Sequence, residues 1–91
     1  MTEVTDPAAA APGTTGCAQM RQSLARLTAQ LAELEGLTCA KEAEVEELKL
    51  QPDPDQGRID QLEAEIASNY VEIDGLTLQI SSLSQVIDEH C

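Results

Sequence analysis

Gln51-Pro52-Asp53-Pro54-Asp55-Gln56-Gly57 is the stretch on which the reading of this chain turns. Pro52 pushes Gln51 out of the α region and stops a helix that precedes it. Asp53, Pro54 and Gln56 then fall at N-cap, N1 and N3 of a following helix, a capping box with proline at its favoured place. Asp53 and Asp55 both lie at the positive end of that helix's dipole. The connection reduces to residues 51–53, short enough to make the flanking helices antiparallel neighbours.

Outward from this turn the chain repeats with a period of seven on both sides. Towards the N-terminus, Cys17, Leu24, Leu31, Thr38 and Val45 hold one core position, and Met20, Leu27, Leu34, Lys41 and Leu48 hold the other. Towards the C-terminus, Ile59, Ile66, Ile73, Ile80 and Ile87 form one series and Leu62, Asn69, Leu76, Leu83 and His90 its complement. These are the a and d positions of coiled-coil heptads. The spacing predicts helix one over residues 17–50 and helix two over 54–90, an all-α, antiparallel two-helix coiled-coil hairpin. Facing residues of a hairpin have a constant sum, and every layer from Leu48 with Ile59 to Met20 with Ile87 and Cys17 with His90 sums to 107.

That register places the polar core residues Thr38 and Asn69 in one layer, where a buried polar pair fixes register and orientation at some cost in stability. It also leaves apolar residues outside the seam. Leu37, Tyr70 and Val86 fall at the flanking g, e and g positions, and Leu50, Val71 and Leu78 lie further round. The stripe is wider than one partner helix covers, so the hairpin is expected to associate into a larger bundle or assembly, with itself or with other protein subunits. Near the turn, Glu42 is expected beside Glu63 and Glu44 beside Glu65, with Lys49 and Arg58 as offsets. Residues 41–65 carry nine acids and three bases, a net charge of −6. Such a tip is either a solvated face or a surface for a basic partner.

Three cysteines are present. Cys17 and Cys91 sum to 108, so they meet at the open end, one residue off the strict layer. A disulfide there closes a loop of some 75 residues, worth roughly 4 kcal/mol on a chain-entropy model. Cys39 falls on the outer face at a b position, inert or able to link chains. Residues 1–16, MTEVTDPAAAAPGTTG, read as a flexible or partner-bound arm. Their acidic start and short alanine run do not match a secretory signal.

The full chain of 91 residues has a net charge of −12, a pI near 4.1, and Tyr70 as its one aromatic residue. A deep globular core is therefore not expected. The charge argues against nucleic acid and against an anionic membrane surface as partners, and no apolar run reaches membrane-spanning length. A zinc site from Cys17, His90 and Cys91 falls short of four ligands, and two of the three are adjacent in sequence. Asp53-Pro54-Asp55-Gln56-Gly57 does not make a calcium loop, because its glycine comes one place early and Ala64 stands at the twelfth position. No nucleophile–base pair or phosphate-binding loop is visible. The reading is no enzyme, no cofactor and no small-molecule substrate.

Tyr70-Val71-Glu72-Ile73-Asp74 fits a Tyr-x-x-x-Asp/Glu pattern. With its length, acidity and hairpin form, the chain thereby resembles the small helical-hairpin substrates of type VII secretion, which implies a secreted protein. The family's Trp-x-Gly turn has no counterpart here, and Tyr70 lies inside helix two where the family's motif follows it. The leading expectation is a structural or adaptor protein of a large assembly. A small virion component of a phage head, tail or fibre fits best, because it is made in a cytosol and then enters an oxidising medium. The alternatives are the secreted hairpin and an intracellular, cytoplasmic adaptor or holding chaperone with an acidic tip.

Overall fold

The computed structural model describes residues 12–91. They form α1 (Pro12–Lys49) and α2 (Gln56–His90), packed along their lengths into an all-α antiparallel hairpin of 68 × 26 × 14 Å. The heptads explain both helices, because each lays a/d positions along one stripe. Among the described residues no helix is long and apolar enough to cross a membrane.

Helix boundaries differ from the sequence reading at three places. Residues 1–11 of the expected arm lie outside the described residues, while 12–16 are helical and belong to α1. Pro12 suits a first helical position, since its missing N–H is an orphan there and its φ is already helical. Extending a helix nucleated by the following heptads then adds one hydrogen bond for each residue fixed. At its other end α1 stops at Lys49 rather than residue 50. Leu50 N–H donates to the Glu47 carbonyl (3.2 Å) and Gln51 N–H to that of Leu48 (3.3 Å), a tightened last turn.

The third difference is the cap of α2. Asp55, not Asp53, is the N-cap, with φ −78° and ψ 91°. Its Oδ1 accepts from the Arg58 N–H at 3.1 Å, and its carbonyl receives the Ile59 N–H at 3.0 Å. The connection thus runs over residues 50–55 and not 51–53. Helix axes packed side by side lie about 8–10 Å apart, and the later start gives the chain more length to cross that gap. Because N3 is Arg58, the cap has no reciprocal carboxamide, and Gln56 Nε2 instead donates to Asp60 Oδ1 at 2.8 Å.

Packing is densest at the turn end. Val45, Ile59 and Leu62 are buried there, with Leu48 and Ile66 against them. Burying one such side chain contributes about 1.5–3 kcal/mol. Towards the open end the seam leucines and isoleucines, from Leu34 and Ile73 to Met20 and Ile87, are only half-buried. A two-helix seam covers each side chain from one direction and leaves the flanks to solvent. Cys17 interrupts this trend and is buried again at the open end.

Candidate functional site

Cys17 and Cys91 are joined by a disulfide, Cα–Cα 6.0 Å, across a sequence separation of 74. The register that sums to 107 carries α2 past Cys17 so that His90 stays exposed while Cys91 turns back. Cys91 N–H donates to the Ile87 carbonyl at 2.9 Å and closes the last turn of α2. The cross-link therefore sits on an ordered helix end. It also consumes two of the three ligands weighed for zinc, since a disulfide sulfur is no thiolate. Among the described residues no cluster of three or more His, Cys, Asp and Glu side chains could hold a metal.

Midway along the rod, Asn69 Nδ2 donates to Thr38 Oγ1 at 3.1 Å, and Thr38 Oγ1 donates to the Leu34 carbonyl at 2.7 Å. Thr38 is 2% exposed. A hydroxyl so placed has its own backbone acceptor and needs Asn69 only as a donor to its lone pair. Asn69, half-buried, reaches across from α2 to supply that bond.

The residues proposed from sequence as a partner surface do not share one surface. Leu37 lines a groove with Gly75, Leu76 and Gln79, and Val86 lines its continuation with Leu78, Gln79 and Leu83. Tyr70 lies on the opposite flank beside Thr38 and Cys39. Its hydroxyl donates to Glu42 Oε2 at 2.6 Å, and that bond, with some desolvation and the carboxylate's charge, raises the Tyr70 pKa above its ordinary value. The heptad labels carried this distinction, since Tyr70 is an e position and the other two are g positions. The Tyr70–Glu42 contact was missed because Glu42 was set against Glu63. Cys39 is free and exposed.

The acidic tip is less one-sided than composition implies. Lys49 pairs with Glu63 at 3.5 Å and Arg58 with Glu44 at 3.1 Å, the two expected offsets. Lys41, a d position by sequence, swings out to Glu65 at 3.4 Å. A long stem lets the ammonium leave the seam for water and a carboxylate. All six side chains are 30–50% exposed, so each pair contributes little to stability. Comparison with family models, curated proteins and solved structures gives no match.

Proposed function

We propose that this chain is a non-enzymatic structural or adaptor rod of a larger protein assembly that works in an oxidising setting. The observation that carries this reading is the Cys17–Cys91 lock at the open end. It fixes both helix ends of a thin hairpin whose own core is concentrated at the turn. A rod held at both ends presents its flanks in a constant geometry, which suits a component that others pack against. At its finest the reading is a small virion component of a phage head, tail or fibre. Such a protein folds inside a cell and then serves outside it, where a disulfide persists.

Non-reducing peptide mapping of native material, combined with fractionation, tests this. The expected result is a peptide pair joined through Cys17 and Cys91, in a chain that sediments with a particle. Free thiols at both positions, in a chain that remains in the cytosolic fraction, would move the intracellular adaptor ahead. A cross-linked chain recovered unattached from the medium would favour the secreted hairpin.

A further inference from the structure

We propose that a second copy of this chain packs on the flank bearing Leu37, Leu78 and Val86. The copies are related by a two-fold axis crossing the rod near Leu78, and their turn ends point in opposite directions. This names a first partner for the assembly rod and rests on that reading for its use.

Charge is distributed unevenly along the rod. Residues 75–87 of α2 contain no charged side chain, and the facing residues 20–32 of α1 carry only Arg21 and Arg26. Residues 33–74, the turn half, carry thirteen acids and three bases, a net of −10. Two rods packed in the same direction would superimpose those halves and repel. Opposed packing sends the acidic halves outward and brings the uncharged ones together.

A two-fold contact must be self-complementary, so that where i meets j, j also meets i. On α1, Arg26 and Glu33 lie seven residues apart on one stripe, and their midpoint falls between Ala29 and Gln30. The hairpin register puts that level at Thr77 and Leu78 of α2. On the outer face of α2, Gly75 and Ser82 are centred between Leu78 and Gln79. The two centres agree within one residue, about 1.5 Å of rise. A single axis therefore sets Arg26 against Glu33 of the second copy and Gly75 against Ser82, with the two copies' Leu78 residues on either side of it.

This face is open to receive the copy. Leu78 is 69% exposed, Leu37 54% and Val86 39%. Nothing lies within 4 Å of where a Cβ on Gly75 would point, so another backbone can come close. The half-buried seam residues Leu34, Leu76 and Leu83 line the same groove. A copy placed there would overlap the rod for about 37 Å, counted from the axis to Cys17 on each side at the helical rise. At the same level the opposite flank carries small side chains such as Thr28, Thr77, Ser81 and Ser84 and none of the large exposed apolar ones.

Sedimentation equilibrium of the oxidised full-length chain is the test. Wild type is expected to dimerise at high micromolar concentration. Leu78→Glu sets two carboxylates beside the axis and weakens the dimer by about a hundredfold. Arg26→Glu weakens it about tenfold, and adding Glu33→Arg restores it, since the pair is only reversed. All three sites are exposed, so helicity by circular dichroism stays at the wild-type level. Spin labels on the native Cys39 lie about 28 Å apart along the rod axis in the opposed dimer and level with each other in a parallel one. A strictly monomeric wild type, a dimer indifferent to Leu78→Glu, or label pairs at the same level would each overturn the proposal. A monomer would leave the assembly reading intact, because that reading is judged by the cross-link and by whether native chain travels with a particle.

Discussion

Thr38 and Asn69 form a polar layer whose two members have unequal needs. Thr38 already donates to Leu34, whereas Asn69 reaches Thr38 from the other helix. Thr38→Val and Asn69→Leu should each cost about 1 kcal/mol, from a lost bond or an orphaned group. The double variant, with apolar groups on both sides, should return to within about 0.5 kcal/mol of wild type, a coupling that thermal melts of the four proteins will measure. On the flank, Tyr70 offers a clean optical titration, because no other Tyr and no Trp is present. Its neutral form is favoured in the fold, with the Glu42 bond as the main cause. That contribution is complete below the unfolded pKa and is lost as pH rises through the folded one, so the contact holds at neutral pH and fails on the alkaline side. Glu42→Gln should move the phenolate absorbance midpoint downwards. The layer was legible in the sequence because both residues occupy core heptad positions. The Tyr70 contact was not, because an e-position side chain chooses among several carboxylates by reach and rotamer, which spacing does not encode.

For the helices themselves, the heptads settle the stripe but not where each helix begins. Asp53 and Asp55 are equally competent caps by residue type, and the chain uses the second. Asp55→Ala should therefore cost about 1 kcal/mol, while Asp53→Ala should stay within about 0.5 kcal/mol, as for an ordinary surface position. Urea midpoints of the two variants will separate them, and a reversed order would return the cap to Asp53. The N-terminal start was misread for a related reason. Gly13, Thr14, Thr15 and Gly16 are poor helix formers taken singly, yet they follow Pro12 and precede a long helix, and cooperative extension outweighs their propensities. Lys41 shows the opposite case: its heptad place was right, and the flexible stem took its charge out of the seam to Glu65.

Taken whole, the hairpin has its dense packing near the turn and its covalent bond at the far end. Reduction should therefore act unevenly. Global stability should fall by up to about 4 kcal/mol, and amide exchange should quicken first in residues 17–31 and 76–90. Amides around Val45, Ile59 and Leu62 should keep their protection longest. Uniform acceleration along both helices would contradict this division. The hairpin register followed from the constant sum alone, and so did the meeting of Cys17 with Cys91. The split between flanks was legible too, in the heptad letters that put Tyr70 at e and Leu37 and Val86 at g, and grouping the three by apolar character alone passed over it.

The cross-link also decides how the rod carries tension. A pull applied through the residues before Cys17 and at Cys91 runs straight across the sulfur bridge, and beyond the first residues of α1 ahead of Cys17 neither helix feels it. The 74-residue span between the cysteines is then length held in reserve. Optical tweezers gripping the chain on either side should see a short, stiff tether while it is oxidised. After reduction the same tether should gain about 250 Å as the helices peel apart, starting from the open end and reaching the acidic turn last.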